Sequence, residues 1–179
     1  MEKRECDDLV RKAAGGSTAA FAALIDASYE RIYAMAWRWA GSSVDAEDIT
    51  QDVCIKLGKA IRGFRGDAAF TTWLYRITYN ATIDHLRARQ RMQAAEPSQI
   101  MKLIDGPGTT TPESDLIDAE LWDQVRALPP QQRDTVLLVY AQDLSHGEAA
   151  LILGCSEKTV SWHLHEARKK LKTTLEVAE

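Results

Sequence analysis

Cysteine is scarce in this sequence of 179 residues, and its three copies lie far apart. Cys6, Cys54 and Cys155 are odd in number and form no C-x-x-C pair, so the pattern indicates neither a disulfide framework nor a zinc site. The four histidines add no ligand set, because His163 and His165 are two residues apart and cannot share a helix face. We predict free thiols, no metal and no cofactor.

Long apolar runs are missing as well. No stretch reaches the roughly 18–20 apolar residues that a membrane-spanning helix requires. The charged N-terminus, MEKRECDDL, lacks the apolar core of a signal peptide. We therefore expect a cytoplasmic protein that makes no membrane contact of its own.

Two further absences bear on fold and activity. No apolar alternation of period two extends over a useful length, which predicts that the chain has no strands. The sequence also has no nucleophile–base constellation and no glycine-rich phosphate loop, so we predict that the protein is not an enzyme. Hydrophobic residues make up 45% of the chain, which is enough to form hydrophobic cores, and they recur at helical spacing. The expected fold class is all-α.

The apolar positions of the first third of the chain predict three helices. The first covers about residues 7–14 and stops at Gly15 and Gly16, after which Ser17 is a suitable N-cap for the second. The core stripe of the second helix consists of Phe21, Leu24, Ile25, Ile32, Met35 and Trp39. The third begins near Asp45 and carries a buried stripe of Ile49, Val53 and Leu57.

The third helix has a second face of mixed composition, which brings together Asp48, Gln51, Asp52 and Ile55. A protein-binding surface would explain an isoleucine among acids and an amide. A solvated face with one stray isoleucine is the alternative, and the pattern alone favours it, because single exposed apolar side chains are normal.

A fourth helix aligns polar residues with aromatic ones. At about 100° per residue, one face carries Trp73, Ile77, Asn80 and Asp84. If that face is buried, its amide and carboxylate need partners, since an unsatisfied polar group costs about 1–3 kcal/mol. The face then either forms a satisfied hydrogen-bond network that fixes how the helix docks, or it lines a polar pocket that receives a group such as an unstacked base. The spacing leaves both open.

Charge is segregated along the chain, although the net charge is only −4. Residues 56–92 carry a net charge of +6 and residues 157–172 carry +3, whereas residues 1–52 and 95–123 carry −4 and −6. The first basic segment also contains the aromatics Phe64, Phe70, Trp73, Tyr75 and Tyr79. Cations follow a phosphate backbone and aromatic faces stack unpaired bases, so this segment is typical of a single-strand binder.

Proline and glycine concentrate in AAEPSQIMKLIDGPGTTTPES, which predicts a linker at residues 95–115. Beyond it, a short helix through Leu121, Val125 and Leu128 ends at two prolines. A proline in the first turn then starts another helix, which runs through Val136, Leu137, Val139 and Tyr140.

Residues 144–171 predict a helix-turn-helix. One helix packs through Ala149, Ala150, Ile152 and Leu153, and a turn at residues 154–156 lets Ser156 cap the next. The inward positions of that last helix are Val160, Leu164, Ala167 and Leu171. Its outward positions are Lys158, Trp162, His165 and Lys169, the arrangement of a helix that enters the major groove.

Three runs carry a family resemblance: D-A-E-D-x-x-Q-D-V from Asp45, F-R-G-D-A-A-F-T-T-W-L-Y-R-I from Phe64, and N-A-T-I-D-H-L-R from Asn80. They resemble the sigma-two domain of bacterial extracytoplasmic-function (ECF) sigma factors, which direct RNA polymerase to promoters. The L-P-x-x-x-R run from Leu128 and the helix-turn-helix are similar to the sigma-four domain of the same family. The resemblance covers about 160 of the 179 residues.

This resemblance implies two small helical domains, at residues 1–94 and 116–179, joined by the linker. It implies an alternative sigma factor whose partners are core RNA polymerase, promoter DNA as duplex and melted strand, and an anti-sigma factor that holds it inactive until a signal. It also implies that the acidic linker threads the polymerase cleft near the path of the nascent RNA.

Three sets of site residues follow from the resemblance. Core polymerase is expected to bind Asp48, Gln51, Asp52 and Ile55. The melted minus-ten strand is expected to bind Phe64, Arg65, Phe70, Trp73, Arg76, Asn80, Asp84 and Arg87. The minus-thirty-five duplex is expected to bind Lys158, Thr159, Ser161, Trp162, His165, Arg168 and Lys169.

Two alternatives remain at this point, a stand-alone helix-turn-helix regulator and an adaptor that binds protein but never DNA. The aromatic-rich basic segment argues against both, since neither needs to hold single strands. Departures from the family pattern occur at His146, Ala149, His163 and Glu166, and they leave open which promoter sequence the last helix prefers.

Overall fold

The computed structural model describes residues 3–95 and 121–177, and these residues form helices and turns without a strand. This confirms the all-α prediction. The chain divides into two compact units, one on each side of residues 96–120. Within the described ranges, no helix is long and apolar enough to span a membrane.

The first unit contains four α-helices, namely α1 (Lys3–Ala14), α2 (Thr18–Ala40), α3 (Ser43–Ala60) and α4 (Phe70–Ala95), with a 3₁₀ turn at Ile61–Gly63. The second unit contains α5 (residues 121–126), α6 (Pro130–Val136) with a π-helical extension (Leu137–Ala141), α7 (His146–Leu153) and α8 (Glu157–Val177). The predicted linker, residues 95–115, lies outside the described residues except for Ala95, which ends α4.

Serine side chains start α2 and α3; the cap at Ser17 was predicted, whereas α3 begins two residues before the expected Asp45 and is capped by Ser42. Ser17 Oγ accepts the Ala20 N–H at 3.2 Å, which caps α2. Ser42 Oγ accepts the Asp45 N–H at 3.3 Å, which caps α3. Gly41 ends α2 in the left-handed region, with φ 66°, a conformation that glycine adopts without steric cost.

The core of the first unit follows the predicted stripes with few changes. Ile49, Val53 and Leu57 of α3 are buried, as are Leu24, Ile32, Met35 and Trp39 of α2. Phe21 and Ile25 are only partly buried. Trp37, which the stripe did not include, is buried as well.

Threonines fill the tight contacts between the helices of the first unit. Thr50, Thr78 and Thr82 are fully buried, and each hydroxyl donates to the carbonyl oxygen four residues earlier in its own helix. These bonds, 2.7–3.0 Å long, satisfy the hydroxyls without any partner on another helix. The buried side of α4 therefore contains Thr78 and Thr82, and the face of Asn80 and Asp84 turns outward.

Asp45 joins the start of α3 to the C-terminal part of α4. Its carboxylate is largely buried, lies 2.9 Å from His85 Nε2 and also pairs with Arg89. The sequence placed Asp45 only in the first turn of α3, where a negative charge suits the helix dipole. The structure adds two long-range contacts to that local effect.

We expect Asp45→Asn to lower the free energy of unfolding by about 1–2 kcal/mol, because charge-assisted bonds to His85 and Arg89 are lost from a partly buried site. Urea unfolding of the full chain would measure this loss. The matched control is Asp48→Asn, an exposed aspartate one turn later on the same helix. Equal stability of the two variants would show that the contacts to α4 contribute nothing.

The second unit packs α6 and α7 against α8. Val125, Leu128, Val136 and Leu137 are buried as the stripes predict, whereas Tyr140 is exposed. Gly154 ends α7 at φ 67°, and Ser156 Oγ accepts the Thr159 N–H at 3.1 Å to start α8. The predicted helix-turn-helix is therefore present, with Val160, Leu164 and Ala167 buried and Leu171 partly buried.

Candidate protein and nucleic-acid interfaces

The mixed face of α3 points away from the core of its unit. Asp48, Gln51 and Asp52 are exposed, and Ile55 is 57% exposed. Val44, which the sequence reading missed, is 64% exposed and lies on the same face three turns before Ile55. The face thus has an apolar residue at each end and acids between them. We define these five residues as the α3 face.

One ion pair crosses part of this face. Lys56 Nζ lies 2.8 Å from Asp52 Oδ2, and both side chains are about half exposed. A pair of this kind, four residues apart on a helix, stabilises it by only about 0.3–0.5 kcal/mol. Asp52 can therefore exchange this partner for another at little cost.

Three aromatic rings hold the loop that connects the 3₁₀ turn to α4. The Phe64 ring centroid lies 5.0 Å from that of Trp73 and 6.0 Å from that of Phe70, and the last two are 5.9 Å apart. Phe70 is buried, whereas Phe64 and Trp73 are partly buried. The following side chains, residues 65–69, are all exposed. Phe64 is thus the anchor of this loop, and we name the three rings the aromatic cluster.

The outward face of α4 continues from the aromatic cluster. Arg76, Asn80, Asp84 and Arg87 are exposed, and Ile77 is partly buried. The exposure of Asn80 and Asp84 excludes a buried network within this unit. What the structure presents instead is an open polar surface that begins beside the aromatic cluster.

Three of the five interleaved aromatics face the core, because Phe70 and Tyr75 are buried and Tyr79 is partly buried. This limits which rings can stack an unpaired base. Tyr75 is buried, and this burial raises the pKa of its hydroxyl. Tyr79 makes an edge-on contact with Trp39, with ring centroids 6.3 Å apart. The rings close to the outward surface are therefore those of Phe64 and Trp73.

The outward positions of α8 are exposed, as the helical spacing predicts. They comprise Lys158, Ser161, Trp162, His165, Arg168 and Lys169. Thr159 differs from them because it is partly buried and its hydroxyl lies 2.8 Å from that of Ser156, so it takes part in the cap. His163, by contrast, is buried on the inner side of the helix.

Arg168 is held by a residue outside α8. Its guanidinium lies 5.5 Å from the ring centroid of Tyr140 and donates to the Tyr140 hydroxyl. The exposed ring of Tyr140 therefore positions a cation at the edge of the outward face. No sequence pattern connects these two positions, which are 28 residues apart.

The cysteines have the properties of unreactive thiols. All three are free and partly buried, and burial is the first cause that raises the pKa of each. A raised pKa keeps the thiol protonated and weakly nucleophilic at neutral pH. Among the described residues, no group of three or more His, Cys, Asp or Glu side chains is placed to hold a metal ion.

Comparison with known proteins accounts for both units. The sequence model of Sigma-70 region 2 matches residues 24–92, and that of Sigma-70 region 4 matches residues 118–171. The RNA polymerase sigma-H factor of Pseudomonas aeruginosa is 28% identical, over 98% of this chain and 96% of its own. The ECF RNA polymerase sigma factor SigW of Bacillus subtilis is 29% identical, over 93% of this chain and 94% of its own.

A solved structure shows the same fold. It is that of the sigma factor RpoE in complex with the anti-sigma factor NepR from Bartonella quintana, with a TM-score of 0.74 and 22% sequence identity. The match covers 89% of this chain and 98% of that one.

Proposed function

The chain belongs to the sigma-70 family as an ECF sigma factor, and from this we propose how its two units divide the work of transcription initiation. As an alternative sigma factor it binds core RNA polymerase and directs it to promoter DNA. We propose that the first unit docks on the polymerase and holds the melted minus-ten strand, and that the second reads the minus-thirty-five duplex. The polymerase then performs the chemistry, and this chain catalyses no reaction.

The observation that carries the proposal is that the α3 face and the outward face of α4 are exposed rather than packed within the unit. Asp48, Gln51, Asp52 and Ile55 are offered for docking, since acids flanked by exposed apolar side chains suit a protein partner with basic and apolar groups. The aromatic cluster and the exposed arginines of α4 remain available for a nucleic-acid strand.

Melting of the promoter needs no separate energy source if capture of the unpaired strand offsets its free-energy cost. Unstacking and unpairing a base costs a few kcal/mol. Stacking of an unpaired base on an aromatic ring contributes about 1–3 kcal/mol. Phe64 and Trp73 offer such rings, and Asn80 and Asp84 can form hydrogen bonds with a base edge. Arg65, Arg76 and Arg87 are exposed as well and can supply positive charge for the strand backbone.

We further propose domain limits at residues 1–94 and 116–179, action in the cytoplasm, and regulation by an anti-sigma factor. The RpoE relative was solved with such a partner. The charge of −4 also fits a chain that binds DNA poorly until the polymerase supplies most of the contacts.

Co-purification with core polymerase, followed by transcription from duplex and pre-melted templates, tests the proposal. We expect the full chain to bind core polymerase and to start transcription at its own promoter. A stand-alone regulator would bind duplex without the polymerase, and an adaptor would bind no DNA in either form. Either result would overturn the proposed division of work.

A substitution at Asn80 tests capture of the melted strand without affecting folding, because the Asn80 side chain is exposed. We expect Asn80→Ala to leave the melting temperature unchanged and to lower open-complex formation on duplex promoters by about three- to tenfold, as one hydrogen bond with a base is lost. A pre-melted template should restore part of the rate. Wild-type rates on both templates would show that Asn80 has no part in strand capture.

Glu166 borders the outward face of α8 and should repel the DNA backbone. We expect Glu166→Arg to tighten duplex binding by the full chain on matched and scrambled promoters alike, and to steepen its salt dependence by about one counterion. Glu47→Arg makes the same charge change at an exposed site in the first unit and is the control. If Glu166→Arg alters neither affinity nor salt slope, α8 is not oriented toward DNA as proposed.

A further inference from the structure

The first turn of α7 makes a specific contact with the outward face of α8. His146 Nδ1 lies 3.1 Å from Ser161 Oγ, and both side chains are exposed. The next residue, Gly147, lies near the start of α8, since a Cβ there would come 3.2 Å from Glu157 Oε1. The imidazole of α7 and the hydroxyl of α8 therefore meet where these two helices lie side by side.

Ser161 occupies the middle of the face proposed to read duplex DNA. Lys158 precedes it by one turn and His165 follows it by one turn, and all three side chains are exposed. The hydroxyl is thus placed among the groups that would meet base edges, while its partner comes from another helix. The sequence places Ser161 on this face, but it does not predict the bond to His146.

The hydrogen bond between His146 and Ser161 affects which base atoms the Ser161 hydroxyl can contact. A serine hydroxyl rotates freely and can donate or accept. If Nδ1 accepts the Ser161 proton, the hydroxyl presents lone pairs, which suit the amino groups of adenine and cytosine. If Nδ1 carries a proton and donates it, the hydroxyl proton is free for acceptors such as those of guanine and thymine, and the oxygen keeps a second lone pair. The tautomer of the imidazole therefore decides whether the hydroxyl can donate to a base.

We propose that His146 is a positioning residue that fixes the Ser161 hydroxyl and thereby sets the base preference at one position of the minus-thirty-five element. The inference rests on the proposed reading of duplex by α8. It adds a specificity determinant outside that helix, at a position where the sequence departs from its family.

A purely structural role explains the contact less well. Ser145 and Glu148 already form a reciprocal cap at the start of α7, so His146 is not needed there. The packing of α7 on α8 is supported by the buried Ala149, Ala150 and Ile152. An exposed hydrogen bond adds little to such packing.

The test measures base preference with polymerase holoenzyme on a library of promoters randomised in the minus-thirty-five element. Variants are His146→Ala, Ser161→Ala and the double variant. We expect each single change to alter preference at the same base pair by about fivefold, and the double variant to alter it no further. His146→Asn, whose amide lies near the position of Nδ1, should restore much of the preference, whereas His146→Gln, whose amide lies further out, should not.

Three results would overturn the inference. A uniform loss of affinity with a shallower salt dependence, additive with Ser161→Ala, would make His146 an independent phosphate contact. Unchanged preference in His146→Ala, while Lys158→Ala or Trp162→Ala shifts it, would show that His146 has no effect on reading. If none of the four positions affects preference, the reading of duplex by α8 fails, and the inference fails with it.

Discussion

Phe64→Ala is expected to lower open-complex formation by at least about tenfold, because the loop at residues 64–69 then loses its side-chain anchor. Phe64 contacts both Phe70 and Trp73, whereas the side chains of residues 65–69 are exposed. Without the ring, the loop gains conformational freedom that must be removed each time a strand is captured. A stacking surface for an unpaired base is lost at the same time.

A matched variant separates this effect from loss of stability. Phe21, on α2, is also a partly buried phenylalanine of the first unit, and a Cβ at Gly58 on α3 would lie 3.5 Å from its ring. Full burial of a phenylalanine makes its replacement by alanine cost about 3–5 kcal/mol. Both residues are only partly buried, so we expect each change to cost about 2 kcal/mol.

Open-complex formation and urea unfolding are therefore measured on both variants. If the two variants are equally stable and only Phe64→Ala is defective in open-complex formation, the defect arises in the loop. If both variants form open complexes equally well, the aromatic cluster is part of the core and has no role in melting. Trp73→Ala should behave like Phe64→Ala, since Trp73 carries the same ring contacts and is also partly buried.

Asp52→Lys is expected to weaken binding to core polymerase by about 10–100-fold, the second large effect. Asp52 lies in the middle of the α3 face, next to Ile55. Charge reversal there replaces an attraction by a repulsion and leaves an unmatched cation in a desolvated interface, which costs several kcal/mol when it is fully buried. Loss of the pair with Lys56 costs the free chain no more than about 0.5 kcal/mol.

The control for this prediction is Asp26→Lys, which makes the same charge change on α2 instead of α3. Asp26 is exposed and lies on the side of α2 opposite to the buried Leu24 and Ser28. We expect the affinity of Asp26→Lys for core polymerase, in a titration with purified polymerase, to stay within about threefold of that of the unmodified chain. If Asp52→Lys and Asp26→Lys bind equally well, the α3 face is not the docking surface.

Much of the fold follows from the sequence because its signals are local. A serine before an apolar stripe, or a glycine after one, fixes where a helix begins and ends without reference to the rest of the chain. The caps at Ser17 and Ser156 and the stripe of Ile49, Val53 and Leu57 were predictable for this reason. The motifs around Asp45, Phe64 and Asn80 likewise determined the family.

The exposure of each face was decided by the tertiary structure. Helical spacing shows which residues share a face, but it does not show whether that face is covered by another helix. Small threonines let α4 pack through Thr78 and Thr82, and this turns Asn80 and Asp84 outward. The same packing places Tyr75 in the core, although its spacing among basic residues suggested a role with nucleic acid.

Contacts between residues that are far apart in the chain could not be predicted from the sequence either. Asp45 with His85 and Arg89, Tyr140 with Arg168, and His146 with Ser161 join residues that are 15 to 44 positions apart. Local propensity and periodicity carry no information about such pairs, since each partner is compatible with its own helix in many environments. The sequence by itself therefore determined the helices, their caps and the family, whereas only the packing of those helices determined which polar groups meet and which remain available to a partner.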